Sequence, residues 1–223
     1  MANLAEFLSH QLTEDLKWRE EELAVMRKQL YLAKEGGLQE RVLLRAGVAM
    51  LYAHYEGYCK FAIELYLDSL RKLKLPRKEF VWKLAAYSME SFRNELGQVN
   101  SSAEFFSELL GRFNQCLDEE AGFELTPSTS NLWPDLLIKW LDDLNLGAGA
   151  VQAEETLLSS LVRNRNQIAH GKRLVVKDRK ALDAYAHAAL VAMHEVAVGI
   201  VTALESKSYL RSKAVTTVIN HAV

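Results

Sequence analysis

The chain has 223 residues, of which 49% are hydrophobic and 25% are charged, and its formal net charge at pH 7 is −2. This is ordinary globular composition, and it excludes binding of nucleic acid or anionic lipid through net positive charge alone. Only 3 prolines and 11 glycines punctuate the chain, which favours long helices over the many turns of a sheet protein.

The first predicted element is a long amphipathic helix. Its leucines recur at spacings of four and seven, and they therefore form one helical stripe: Leu4, Leu8, Leu12, Leu16, Leu23 and Leu30. Gly36 and Gly37 would end this helix after about 33 residues, at a length of about 50 Å. A helix of that length either covers a partner or packs along a second long helix.

The second predicted helix runs from about Leu38 to Leu73, with Pro76 as the stop. Its middle, VAMLYAHYEGYCKFAIELYL, is apolar on most faces, which predicts the central core element. His54 and Glu56 interrupt this apolar stretch. They either emerge at the edge of the helix or point into a polar pocket.

The remaining pattern predicts five more helices. They cover about 79–96, about 103–120 after a cap within 100–102, about 133–144, about 153–170 and about 178–206. TPSTSN (126–131) predicts a loop, and Ser130 or Asn131 can cap the helix that follows it. Pro134 fits the first turn of that helix. GAGA (147–150) predicts a flexible connector. The sequence therefore predicts a single all-α domain over 1–223, with an extended helix over 1–36, a bundle over 38–206 and a tail over 207–223.

The stretch LVRNRNQIAHG (161–171) concentrates polar groups at the end of the sixth predicted helix. Asn166 and His170 are four residues apart and share a face with Arg163. Arg165 precedes His170 by five residues and so points about 140° away on an ideal helix. A long side chain or a second subunit is needed to bring Arg165 and His170 to one site.

These residue types suit phosphodiester chemistry. An imidazole can give or take a proton near neutral pH, and a guanidinium matches the paired oxygens of a phosphate. An asparagine amide can orient the imidazole or hydrogen-bond the substrate. RNA carries its own 2′-hydroxyl nucleophile, so no metal is required. Residues 163–180 contain seven cationic side chains against Asp178 alone, a local net charge of +6. On residue types alone, the same stretch could also be a capped helix end with solvent-exposed arginines.

RNQIAHG resembles the R-x4–6-H motif of the HEPN superfamily, with Arg165, Asn166 and His170 at the motif positions and Arg163 at the longer spacing. LYAHYEGYCK (51–60) resembles the YAHWEG-like segment of the MAE-type HEPN nucleases of bacteria, which are related to the RiboL-PSP HEPN group. SNLWPDLL also looks like theirs. The matches extend from about residue 41 to about residue 204.

The resemblance implies an all-α, HEPN-like bundle that acts as a metal-independent endoribonuclease without a cofactor. It implies a homodimer whose cleft is built from both motif copies, with Arg165 stabilising the phosphate, Asn166 orienting and His170 transferring protons. The supporting or RNA-binding residues it suggests are Arg163, Glu56, His54, Lys172 and Arg173. A non-catalytic module of the same fold, which binds RNA, a nucleotide or a protein, is the alternative.

Such nucleases are toxins or anti-phage effectors, so the resemblance also implies an antitoxin or defence-system partner. Related toxins that are silenced by tyrosine modification carry a tyrosine three residues after the histidine. Arg173 stands there in this chain, which argues against that form of control.

The remaining features predict a cytoplasmic protein. Cys59 and Cys116 lie in apolar helical contexts without metal-like spacing, which predicts buried, reduced thiols. No basic region followed by an apolar run opens the sequence, and no stretch approaches the ~18 uninterrupted apolar residues of a membrane span.

Overall fold

The computed structural model describes residues 2–124, 131–173 and 176–211, and the regular structure of these residues is helical. The helices are α1 (Ala2–Leu32), α2 (Leu38–Arg71), α3 (Trp82–Tyr87), α4 (Glu90–Leu96), α5 (Ser102–Asp118), α6 (Pro134–Asp143), α7 (Gly149–Ala153), α8 (Glu155–Ala169) and α9 (Arg179–Ser206), with a 3-10 turn over Arg77–Glu79. The predicted all-α class is confirmed.

The main core lies among α1, α2 and α9. As predicted, α2 is the central element, and it carries the fully buried tyrosines Tyr52, Tyr55, Tyr58 and Tyr66. The facing helix α9 contributes small buried residues such as Ala188, Ala189 and Ala192, which allow the helix axes to approach closely. Cys59 and Cys116 are both free and buried, and burial raises the pKa of the Cys59 thiol.

Helix α1 packs along its own domain instead of projecting from it. Leu8, Leu12 and Leu30 of the predicted stripe are almost fully buried, because α1 lies in the groove between α2 and α9. The helix ends at Leu32, four residues before the predicted end at residue 36. Gly36 then adopts a left-handed conformation with φ of +70°, which lets the chain turn back into α2.

The segment predicted as one helix over 79–96 is instead broken into a 3-10 turn, α3 and α4. The break at Phe80 and Val81 is extended, because the Phe80 ring is pulled into the core against Phe123, with ring centres 5.0 Å apart. The next helix, α5, begins as predicted, since the Ser101 hydroxyl accepts the Glu104 N–H. The predicted single helix was therefore wrong: burial of the Phe80 ring goes with the extended backbone at 80–81, and a second break at Ser88 and Met89 separates α3 from α4.

The predicted connector GAGA also forms part of a helix. Residues Gly149–Ala153 make the short helix α7, whose free N–H groups at Ala150 and Val151 donate to the two carboxylate oxygens of Glu195 at 2.8 and 2.6 Å. Glu195 comes from α9, so a tertiary contact supplies the cap that the local sequence lacks. The motif helix accordingly starts at Glu155, two residues later than predicted.

At the C-terminal side, residues 207–211 of the predicted tail fold back onto the domain. Tyr209 is buried, and its carbonyl accepts the Val81 N–H at 3.0 Å. The rest of the predicted tail (212–223) and most of the predicted loop (126–130) lie outside the described residues.

One helix in the described ranges, α9, is long and apolar enough by length and composition to cross a membrane. It is also a core helix, with residues such as Met193, Val196 and Ile200 fully buried between its neighbours. The packing of the bundle buries 44% of the most apolar stretch of α9.

Candidate active site

The motif helix α8 lies with one face on the core and the other open to solvent. Its buried residues Leu158, Leu161 and Val162 recur at helical spacing, and the helix packs on α2 and α9. From residue 163 onward the side chains are polar and half-buried or exposed, apart from Ile168 and Ala169. The core contacts therefore fix the helix, while its last two turns present the motif.

Gly171 ends the motif helix and determines where His170 stands. The Gly171 N–H donates to the Ile168 carbonyl and the Lys172 N–H to the Gln167 carbonyl, at 3.0 and 2.9 Å, which is a Schellman motif. Gly171 has φ of +70°, a left-handed conformation that suits glycine. The chain thus turns sharply straight after the histidine and leaves the imidazole at the helix end.

We expect Gly171→Ala to lower the free energy of unfolding by about 1 kcal/mol, because a Cβ is strained at this positive φ. Chemical denaturation checks this, with Gly111→Ala as the control. Gly111 lies inside α5 with open space around its Cα, so alanine there should leave stability unchanged or raise it. Equal effects of the two substitutions would contradict the assigned role of Gly171.

The Arg165 guanidinium sits in a socket formed by α2 and the segment before α6. Its Nη1 donates to Asn131 Oδ1 and, at 3.1 Å, to Asn166 Oδ1, and its Cζ lies 4.2 Å from the centre of the Tyr52 ring. The Tyr52 hydroxyl accepts the Leu132 N–H at 2.9 Å. These contacts hold the guanidinium in one orientation, yet 31% of the Arg165 side chain stays exposed and open to a ligand.

Glu56 and the neutral Tyr52 hydroxyl determine the charge around the Arg165 guanidinium. Glu56 Oε2 lies 3.9 Å from Arg165 Nη2, while Glu56 Oε1 accepts from Lys60 Nζ at 2.9 Å. Burial raises the pKa of Tyr52 to about 12, so its hydroxyl stays neutral under physiological conditions. The predicted supporting residue Glu56 is therefore at the site, on the same face of α2 as Tyr52.

Asn166 follows the arginine and lies one turn before the histidine. Its side-chain oxygen accepts from Arg165 Nη1 at 3.1 Å, and its backbone oxygen accepts the main-chain N–H of His170 at 3.0 Å, as in any helical turn. The His170 side chain is exposed, and no hydrogen bond to its ring is found within the described residues. Of the three predicted catalytic side chains, Arg165 and Asn166 are thus in contact, and His170 stands apart from them at the end of α8.

The structure distinguishes the two candidate arginines. Arg163 is exposed, and no hydrogen bond or ion pair holds it among the residues that the structure describes. Arg165 is held from three sides, by Asn131, Asn166 and Tyr52. Of the two, Arg165 is therefore the one whose guanidinium is held in place.

His54 lies away from the site, which corrects its suggested supporting role. It is two residues from both Tyr52 and Glu56, hence about 200° around α2. Its Nε2 lies 3.2 Å from Glu22 Oε2, and its ring stacks edge-on against Trp18 of α1. His54 therefore belongs to the interface between α1 and α2.

Burial and the nearby Arg19 charge lower the pKa of His54, against the opposing effects of Glu22 and Asp15. A histidine with a lowered folded-state pKa stabilises the fold above its unfolded pKa of about 6.5, and this contribution is lost as the pH falls toward the folded pKa. We expect wild type to lose more stability between about pH 7.5 and about pH 5.5 than His54→Gln. Urea unfolding at several pH values in this range measures the free energy of unfolding, with exposed His10→Gln as the control. The same dependence of that free energy on pH in wild type and in His54→Gln would contradict the prediction.

Lys172 and Arg173 are exposed beyond Gly171, as expected for groups that contact a ligand. The Lys172 carbonyl accepts from Arg45 Nη1 of α2 at 2.9 Å, which ties this turn to the start of the central helix. The basic segment after the motif is thus placed beside α2.

The sequence prediction missed Tyr52 and Asn131 as parts of the site. Tyr52 is four residues before Glu56, so their shared helical face was a usable signal. Ser130 or Asn131 was expected to cap α6, whereas Trp133 takes the cap position and the Asn131 side chain contacts Arg165; Ser130 lies outside the described residues. Nothing in the local sequence indicates a contact with a residue 34 positions away.

No group of three or more His, Cys, Asp or Glu residues is arranged to hold a metal ion in the described ranges.

The family model of MAE_28990-like HEPN domains matches residues 8–209 of the chain. The chain therefore belongs to the HEPN superfamily and to its MAE type. No significant match to the chain is found among curated proteins or among solved structures.

Proposed function

We propose that this protein is a metal-independent endoribonuclease in which Arg165, Asn166 and His170 are the catalytic residues. The observation that carries the proposal is the arrangement at the end of α8, where Asn131, Asn166 and the Tyr52 ring hold the Arg165 guanidinium and His170 presents an exposed imidazole five residues later. A group that can stabilise a phosphate and a group that can transfer a proton thus lie at the same end of one helix.

In the proposed reaction, the RNA 2′-oxygen attacks the adjacent phosphorus. A bond forms between the 2′-oxygen and phosphorus, the bond between phosphorus and the 5′-oxygen breaks, and the products are a 2′,3′-cyclic phosphate and a 5′-hydroxyl. The 2′-hydroxyl gives its proton to a general base, and the leaving 5′-oxygen takes one from a general acid. Arg165 stabilises the negative charge that develops on the phosphoryl oxygens.

The proposed active assembly is a homodimer. Two proton transfers need two groups, and one chain places a single histidine in its motif. Two copies of α8 that meet across a two-fold axis would supply one imidazole for each transfer. Arg165 of one copy would then face His170 of the other, although the two side chains point about 140° apart on a single helix.

The proposed biological role is that of a toxin or an anti-phage effector in the cytoplasm, restrained or triggered by a partner protein. This part of the proposal rests on membership of the HEPN superfamily. An unrestrained RNA-cleaving activity would harm the cell that makes it, so a regulator follows from the chemistry.

The second candidate is a non-catalytic HEPN module that binds RNA, a nucleotide or a protein. It is favoured by the His170 ring, which no side chain orients within the described part of a single chain. Catalysis by imidazole usually depends on such an orienting partner.

Incubating the purified protein with RNA in the presence of a chelator separates the two candidates. The ribonuclease proposal expects cleavage with 2′,3′-cyclic phosphate and 5′-hydroxyl ends, and a rate that rises with protein concentration as dimers form. Retarded but intact RNA, at every concentration that yields dimers, would establish the binding module instead.

A further inference from the structure

A basic groove of about 340 Å³ lies between the first turns of α2 and the turn after the motif helix. The basic groove is lined by four cationic side chains, Arg41, Arg45, Lys172 and Arg173, and no carboxylate lines it among the described residues. Aliphatic side chains make the remainder of its surface, and Val42 among them is 56% exposed. The basic groove thus offers strong positive charge beside an open apolar surface.

Two of the arginines are oriented by the backbone. Arg41 Nη1 donates to the Gly36 carbonyl at 2.8 Å, and Arg45 Nη1 donates to the Lys172 carbonyl at 2.9 Å. The bond to a carbonyl oxygen orients the Arg41 guanidinium without cancelling its charge. The carboxylate adjacent in sequence, Glu40, is engaged elsewhere, by the Gly36 N–H at 2.6 Å and by Arg179 Nε at 2.5 Å.

The basic groove adjoins the proposed catalytic unit. Gly171 lines it and directly follows His170 in the chain. The groove therefore begins one residue after the proposed proton-transfer group. The charged side chains that line it within the described ranges are all donors, so they can bind phosphate but cannot accept a hydrogen bond from a base edge.

We propose that the basic groove binds the RNA nucleotide next to the cleaved phosphodiester. Arg41, Arg45, Lys172 and Arg173 hold its phosphate, and its ribose or base lies on the aliphatic surface around Val42. The proposal rests on the proposed ribonuclease function, because it takes its strand direction from the reacting phosphate at His170. The groove contributes affinity without sequence preference, as contacts to the phosphate backbone do.

The test measures the affinity of the full-length protein for an uncleavable 2′-O-methyl RNA of roughly 12 nucleotides. We expect the double variant Arg41→Ala, Arg173→Ala to bind at least about tenfold more weakly at low salt and to lower the salt slope by about 1.4, the value for two lost single-strand phosphate contacts. The double variant Arg93→Ala, Lys139→Ala removes the same charge from α4 and α6 and is the control.

Each outcome bears on the basic groove separately from the nuclease. Equal affinity of the groove variant and the control variant overturns the groove proposal, whether or not wild type cleaves RNA. A weakened groove variant together with wild type that never cleaves RNA would show that the groove binds RNA, but it would reject the nuclease and the position assigned to the bound nucleotide. If AMP binds wild type as tightly as the oligonucleotide and the groove variant loses AMP, the groove is a free-nucleotide site, and the strand proposal is wrong.

Discussion

Substitution of His170 by alanine will lower the rate of RNA cleavage by about 10²–10⁴-fold, the usual contribution of one positioned proton-transfer group. The imidazole is exposed at the C-terminal end of α8, so its removal creates no cavity in the core. We therefore expect the variant to unfold at the same denaturant concentration as wild type. Single-turnover cleavage of a labelled RNA measures the chemical step directly.

His187→Ala is the matched control for this prediction, because His187 is also exposed but lies on α9. It should cleave at the wild-type rate. If His170→Ala and His187→Ala both cleave like wild type, His170 has no part in proton transfer. Expression in bacteria gives a second readout, since only the active protein should degrade cellular RNA and slow growth.

Arg165→Ala should lower kcat by about 10²–10³-fold, the loss that follows removal of one preorganised contact to developing charge. Arg163→Ala should instead raise KM modestly with kcat almost unchanged, because exposed Arg163 can attract RNA but has no fixed orientation. The two arginines differ in how they are held. Asn131, Asn166 and the Tyr52 ring fix the Arg165 guanidinium before substrate binds, and Arg163 has no such contacts among the described residues. Steady-state kinetics on one RNA substrate separates the two effects.

Arg165→Lys sharpens this prediction. An ammonium group keeps the charge, but it lacks the planar guanidinium that stacks over the Tyr52 ring and has further N–H groups for a phosphate while Nη1 donates to Asn131 and Asn166. We expect it to recover little of kcat. A large loss of kcat in Arg163→Ala, with Arg165→Ala close to wild type, would assign the catalytic role to the other arginine.

Much of the fold was predictable because its signals are local. The leucine spacing of α1, the apolar length of α2, the Asp178 cap of α9 and the glycine after His170 each act within a few residues. Family membership was equally accessible, because RNQIAHG and AHYEG occur in the right order along the chain. The sequence by itself thus determined the helical class, the family and the identity of the motif residues.

Only the tertiary structure decided which groups surround the motif. The break at Phe80, the Glu195 cap on α7 and the Asn131 contact to Arg165 all join residues far apart in sequence, and their energies depend on packing that no local pattern encodes. The two polar residues within α2 show the same division. His54 and Glu56 are close in sequence, but residues two apart on a helix point to opposite sides of it. His54 therefore contacts α1, whereas Glu56 lies beside Arg165.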